Sequence, residues 1–177
     1  MKKYELTAEF IEKWGKKLFR IKALISFGSV EAGELGGYVE KEDNLAQDGD
    51  AWVYGNAWVY GNARVYGNAE VYGDARVCDD AWVYGNAWVC GNADYLLIGR
   101  IGSRFSFTTF FKNKDKGITV SCGCFLGTIA EFRAKVTDTH GNNKHAKIYN
   151  LAADMAELQI LGEEHFDKLN TNKSEPF

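Results

Sequence analysis

From residue 49 to residue 96 the chain alternates small or aliphatic positions with polar or aromatic ones in an unbroken six-residue cycle: GDAWVY, GNAWVY, GNARVY, GNAEVY, GDARVC, DDAWVY, GNAWVC, GNADYL. Alanine holds the third place of all eight hexads (Ala51, Ala57, Ala63, Ala69, Ala75, Ala81, Ala87, Ala93). Valine holds the fifth place in all but the last, where Tyr95 stands. Residues two apart on a strand face the same way, so Ala and Val point inward while the fourth and sixth places point outward. Gly-Asn or Gly-Asp falls at every corner but that of Asp79-Asp80, and these residue types accept the positive φ of a sharp turn. Short strands joined by two-residue turns would make a meander, but hairpins favour Asn-Gly order over Gly-Asn. A hexapeptide period instead marks a parallel β-helix, in which one short strand and one corner make a side and successive coils stack.

Read as V-Y-G-N-A-W from Val53, Val59 and Val65, the hexads resemble the left-handed β-helix family of hexapeptide-repeat proteins, whose pattern sets an aliphatic residue first and a small one fifth. The resemblance implies a triangular coil of three hexads, and so about three coils. Eighteen-residue coils would stack Trp52 and Tyr54 over Glu70 and Tyr72, then Trp88 and Cys90. A second face would carry Trp58 and Tyr60, Arg76 and Cys78, then Asp94 and Leu96; a third, Arg64 and Tyr66 with Trp82 and Tyr84. Exposed aromatic ladders of this kind mark an interface. Trp52, Tyr54, Trp58, Tyr60, Tyr72, Trp82, Tyr84 and Trp88 are therefore expected to mediate contact. The resemblance implies a homo-oligomer, with a trimer favoured.

The flanks follow other periods. Residues 1–48 predict a short helix capped by Thr7, with Phe10, Ile11 and Trp14 on one side, then a strand in LFRIKALI. The glycine-punctuated VEAGELGGYVEKEDNLAQ leads into the first coil, and its AGELGGYVE resembles the lead-in of some bacterial hexapeptide-repeat proteins. Such a cap covers the open end of a strand stack. After residue 96 the cycle stops. RFSFTTFF and GITVSCGCF around KNKDKG predict a strand pair. Thr128 and Glu131 form a capping box for a helix with Ile129, Phe132 and Val136 on one face, ended by Gly141. A second helix runs from Lys144 to Leu161, entered through Asn142 or Asn143, with Ile148, Leu151, Met155 and Leu158 at helical spacing. The expected fold is thus mainly β: an N-terminal helix/strand cap (1–48), a short left-handed parallel β-helix (49–96), and a C-terminal α+β domain of ββαα order (97–162). Residues 163–177 lack periodicity and are expected to form a disordered tail.

Composition sharpens this division. The 177 residues are 46% hydrophobic and 25% charged with net charge −3, as in a soluble globular chain. Four of five Trp and six of nine Tyr lie in the hexads, whereas all 11 Phe lie outside them. No apolar run reaches the roughly 20 residues of a membrane span, and MKKYELTAEF lacks the apolar stretch of a signal peptide. A cytoplasmic protein with no membrane contact is expected, and Cys78, Cys90, Cys122 and Cys124 are read as reduced thiols.

Charge points to where chemistry lies. Residues 98–147 hold nine Lys or Arg against three Asp or Glu, while the hexads hold two against six. The stretch IGRIGSRFSFTTFF, SCGCF, THGNNKHAKIY resembles a C-terminal domain of uncharacterised phage and prophage proteins of Gram-positive bacteria. That resemblance implies a phage-encoded protein in the host cytoplasm and supplies no catalytic residues. Cys122, Cys124 and His140 form a thiol/His cluster, but zinc needs a further ligand pair, so no metal is expected and packing is the simpler role. A Cys122 nucleophile activated by His140 would need their contact, which nothing local imposes. A hexapeptide-type acyltransferase, the enzyme the family resemblance brings up, uses a histidine between coils, and no histidine precedes residue 140.

An anionic ligand fits these residues better. Arg100 and Arg104 offer forked donors, Ser103, Thr108 and Thr109 offer hydroxyls, and Asn143 with Lys144 opens a helix whose free amides favour negative charge. Tyr149, with Phe105, Phe110 and Phe111, offers rings for a base, although alternating Phe is also core patterning. No basic run is long enough for a nucleic-acid footprint. The sequence therefore predicts a non-enzymatic oligomeric binding protein with no cofactor, sequestering a phosphate-bearing nucleotide immune signal of the host. The alternatives are a host-protein inhibitor or scaffold working through the Trp/Tyr faces, and an acyltransferase or other enzyme.

Overall fold

The computed structural model describes residues 1–164, which fall into two compact units, Met1–Asn92 and a second that begins at Ala93. The expected tail from residue 165 onward lies outside the described residues.

The chain opens on a β-hairpin where a helix and a strand were expected. β1 (Tyr4–Lys13) and β2 (Lys16–Ala23) pair antiparallel, with Phe10 opposite Phe19 and Lys13 opposite Lys16. Trp14 and Gly15 form the two-residue turn at φ 51° and 75°, the left-handed pair whose twist matches that of the strands it joins. The ladder is irregular between Leu6 and Phe10, and there Thr7 Oγ1 accepts from Glu9 N at 3.2 Å. The hydroxyl read as a helix cap thus holds a bulge, and the bulge breaks the alternation that would have announced a strand. β2 also pairs antiparallel with β3 (Leu35–Val39).

Seven hexads each give a two-residue strand from their fourth and fifth places. These are β4 (Trp52–Val53), β5 (Trp58–Val59), β6 (Arg64–Val65), β7 (Glu70–Val71), β8 (Arg76–Val77), β9 (Trp82–Val83) and β10 (Trp88–Val89). All pairings among them are parallel and 18 residues apart: β4 with β7 and β7 with β10, β5 with β8, β6 with β9. The Ala from 51 to 87 and the Val from 53 to 89 are at most 1% exposed. Corner glycines from Gly49 to Gly85 adopt φ between 56° and 73°, and Asp79, standing where the other corners have glycine, adopts 59°. The eighth hexad does not join the stack. Tyr95 replaces the inward valine, Asn92–Asp94 makes a 3-10 turn, and Leu96 pairs antiparallel with Phe110 instead of stacking under Cys78.

The stack is polar along its axis. Amides at the fourth and sixth places donate to carbonyls at the third and fifth places of the strand 18 residues on, from Trp52 N to Ala69 O (3.0 Å) through Tyr72 N to Val89 O (2.8 Å). The first turn of the stack therefore presents carbonyls, and the N-terminal segment supplies their donors. Tyr38 N and Glu40 N, on and just after β3, bond Ala57 O and Val59 O, and Ala46 N bonds Val65 O. Where no amide reaches, side chains serve: Asn44 Nδ2 donates to Ala63 O at 2.8 Å and Lys3 Nζ to Ala51 O at 2.9 Å. Gly36 and Gly37 allow this approach, since a Cβ on either would come within 2.6 Å of the Val53 carbonyl or 2.5 Å of that of Ala57.

The second unit is an antiparallel sheet of four strands in chain order, β11 (Tyr95–Ile101), β12 (Ser106–Lys112), β13 (Ile118–Cys122) and β14 (Phe125–Thr128). Two helices, α1 (Ile129–His140) and α2 (Lys144–Leu161), pack on it around Phe110, Val120, Phe132, Val136 and Ala153. Both helices span the expected residues, with the Thr128–Glu131 capping box at α1 and the Asn143 cap at α2. The strands differ from the expected pair. GITVSCGCF breaks at Gly123 (φ 62°), and Tyr95 to Ile101 forms an added strand. The unit thus has ββββαα order and begins inside the last hexad. α2 also turns an unexpected face to the sheet. Ala146, Ala152, Ala153, Ala156 and Ile160 are buried, whereas Ile148, Leu151, Met155 and Leu158 are exposed. The aromatic rings of Phe110, Phe132 and Tyr149 already fill the space beneath, so the helix approaches on its alanines.

Replacing Asn44 by Ala leaves the Gly61 and Ala63 carbonyls without their side-chain donor, and urea unfolding is expected to report a loss of about 1–3 kcal/mol. Burial holds the Lys3 ammonium below its ordinary 10.5, at about 8, against the opposing pull of Asp48 and Asp50. Between those values the unfolded chain keeps a proton that the folded chain has lost. Stability of the wild type relative to Lys3→Met should therefore rise as pH climbs from 8 to 10.5, read from thermal melts of both proteins.

Candidate functional site

Within the second unit, a cavity of about 370 Å³ opens between α1, the β11–β12 turn and the β13–β14 turn. Its wall brings together six of the residues singled out from the sequence: Ser103, Arg104, Cys122, Cys124, His140 and Tyr149. Phe125, Phe132, Lys135, Val136 and Thr139 complete it. Positions 132, 135, 136, 139 and 140 share one face of α1 because helical neighbours recur at three and four residues. The same stripe that carries core residues Phe132 and Val136 thus presents Lys135 and Thr139 at its border. Sequence reading missed both, since they look like ordinary surface positions between core ones.

Two glycines set the site's two most distinctive side chains. Gly102, at φ 73°, lies directly against the Tyr149 phenol. At Gly123 a Cβ would stand 2.7 Å from Arg104 Nη2, so the absence of a side chain lets the guanidinium lie across the β13–β14 turn. Tyr149 stacks on His140 (ring centroids 5.8 Å apart) and meets Phe132 edge-on at 5.6 Å. Burial pushes the Tyr149 hydroxyl up to about 12, the neighbouring Cys122 adding to this and Arg104 opposing it, so the phenol is a neutral donor at physiological pH.

The electrostatics are one-sided. Arg104, Lys135 and His140 face the cavity, and among the described residues no carboxylate lines it. Among the described residues neither Arg104 nor Lys135 has an ion pair or hydrogen bond. Cys122 lies in the wall, accepts from Thr108 Oγ1 at 3.2 Å and donates to Tyr149 Oη at 4.0 Å. Among the described residues it makes no hydrogen bond with His140. The two cysteines do not share one strand face, as their spacing had suggested, since β13 ends at Cys122. Gly123 turns the chain between them, leaving Cys122 6% exposed and Cys124 exposed.

The other expected ligand residues lie elsewhere. Thr108 and Thr109 are buried in the sheet. The amides at the start of α2 that were expected to hold an anion are taken by the chain itself: Asn143 Oδ1 accepts from His145 N and Ala146 N at 2.8 and 3.2 Å. Lys144 and Arg100 are exposed outside the cavity wall.

In the first unit the three aromatic faces are unequal. Trp52, expected to face outward, is fully buried beneath Tyr4 and Phe27, with centroids 6.1 and 5.4 Å away. The N-terminal hairpin and the loop after it cover that corner. Trp14 packs on Trp58 and Tyr60, and Arg76 lies 4.6 Å over the Trp58 ring. Tyr54 stacks on Tyr72 at 4.3 Å and Tyr66 on Tyr84 at 4.5 Å, and Trp88 meets Tyr72 edge-on. Trp82 is 44% exposed.

The stack agrees with what comparison with known families finds. Residues 57–73, 63–79 and 75–91 each match the family described as the YdcK beta solenoid repeat, so the hexads are a β-solenoid-type repeat. No curated protein matches the chain. Among the described residues no helix is long and apolar enough to cross a membrane.

The positions of the thiols make a chemical prediction. A water-soluble aromatic disulfide should modify Cys124 and Cys90 at once and Cys122 only as the fold opens, which peptide mapping after timed quenching would read.

Proposed function

We propose that this is a binding protein whose second unit takes up a small phosphate-bearing nucleotide and does not turn it over. The observation that carries this reading is the convergence of Arg104, Lys135 and His140 on one cavity whose wall, among the described residues, holds no carboxylate. A guanidinium gives phosphate two parallel donors and an ammonium adds a point charge. Ser103 and Thr139 add hydroxyls, and Phe125, Phe132 and Tyr149 offer an apolar wall for a base. The volume, about 370 Å³, lies at the small end of ligand pockets and suits a mononucleotide or a small cyclic one. Binding without turnover is supported by Cys122, the buried nucleophile, whose hydrogen bonds go to Thr108 and Tyr149. In this reading the hexads form a left-handed β-helix of about three coils. The protein is phage-encoded, and its ligand is a nucleotide immune signal of the host.

Isothermal titration of the full chain against cyclic and ADP-ribose-type nucleotides tests the reading. Heat is expected with at least one of them, and chromatography should recover the ligand unchanged. Arg104→Ala and Lys135→Ala should each weaken binding about tenfold or more, since a hydrogen bond to a charged group contributes about 1.5–3 kcal/mol. Bound ligand should also slow modification of Cys124. No heat with any nucleotide, from a folded protein, would remove the proposal.

A second reading, capture of a host protein, has one observation in its favour, the exposed Trp82 beside the Tyr66–Tyr84 stack. It predicts a pull-down lost in Trp82→Ala and retained in Arg104→Ala.

A further inference from the structure

We propose that α2 is a self-association element, and that two copies of this chain pair antiparallel along its outward stripe of Ile148, Leu151, Met155 and Leu158. These four side chains are 38%, 63%, 57% and 45% exposed. They stand opposite the buried Ala153 and Ile160, on a helix whose other buried residues are Ala146, Tyr149, Ala152, Ala156 and Glu157. Large apolar residues grouped on a surface helix mark a contact. Their spacing of three, four and three residues is the 3.5-residue repeat of a helix-pairing seam.

The same spacing identifies the partner as a second copy. Three-four-three reads identically in both directions, so a twofold axis through the middle of the stripe sets Ile148 against Leu158 of the other copy and Leu151 against its Met155. A two-fold interface requires this kind of self-complementary surface. Charge then chooses the direction. Lys144 and Lys147 lie in the first turn, where acids would normally sit, and α2 has neither an acid in its first turn nor a base in its last. Glu163 and Glu164 follow its end. That order opposes the helix's own dipole. Antiparallel pairing sets the lysines of each copy beside the acidic end of the other, whereas parallel pairing would set like against like. At the centre, Asp154 is already matched by Arg133 at 2.7 Å. This surface belongs to the second unit, and the hexad faces belong to the first.

Sedimentation equilibrium of the full chain under reducing conditions, over a hundredfold range of concentration, is the test. The expected result is a reversible monomer–dimer equilibrium that shifts to monomer in Leu151→Lys, with circular dichroism unchanged. Lys147→Glu should weaken the dimer several-fold at low salt, and the double variant Glu163→Lys, Glu164→Lys should recover mixed dimers with it. A monomer at every concentration would overturn the proposal. So would an oligomer whose mass is unchanged in Leu151→Lys, and one that is lost in Trp82→Ala would place association on the hexad face instead.

Discussion

The first unit depends on a hydrogen-bond ladder that runs one way. Each hexad strand is only two residues long, so no strand is stable alone, and the amides of β4 to β7 find their acceptors in the strand 18 residues later. That spacing forces one residue cycle onto the whole segment: an alanine and a valine small enough to stack inside, and a corner residue that tolerates positive φ. A one-way ladder also has two chemically different ends. Its acceptor end carries carbonyls that water or a partner strand must satisfy. β3, the amides of Glu40 and Ala46, Asn44 and Lys3 together close it with donors.

This requirement explains residues that have no place in the repeat. A lysine 2% exposed is costly, yet Lys3 sits with its ammonium among the carbonyls of Asp48, Gly49 and Ala51 and 4.8 Å above the Phe27 ring. Glu40 has a similar task at a corner, accepting from Gly61 N at 2.6 Å while paired with Lys16, and those donors hold its carboxyl below its ordinary range despite burial. Trp52 is drawn inside by the same arrangement, because the segments that bring Lys3 and β3 to the stack also bring Tyr4 and Phe27 over its ring.

The second unit works from the opposite principle. Its site is made by side chains that converge from distant turns onto a helix face, with glycines at 102 and 123 leaving the space that Tyr149 and Arg104 occupy. Alanines on the inner face of α2 give the rings of Phe132 and Tyr149 room, and the same economy leaves the helix's larger apolar residues outside. The cavity and the exposed stripe thus share one cause in packing.

What the sequence determined by itself was whatever repeats or is local. The inward Ala and Val and the 18-residue pairing follow from identical short-range choices made in successive hexads, and the helix limits at Thr128, Gly141, Asn143 and Gly162 follow from caps within a few residues of each end. Ser103, Arg104, Cys122, Cys124, His140 and Tyr149 stood out by residue type, and all six line one cavity. The tertiary structure decided the rest. Phe10, Ile11 and Trp14 have helical spacing, but their bonding partners lie across a turn, and a bulge imitates the period. Ile148, Leu151, Met155 and Leu158 have core spacing, but a stripe of alanines beside them has it too. Which stripe faces the sheet depends on the volume already filled beneath it, a quantity no window of sequence contains.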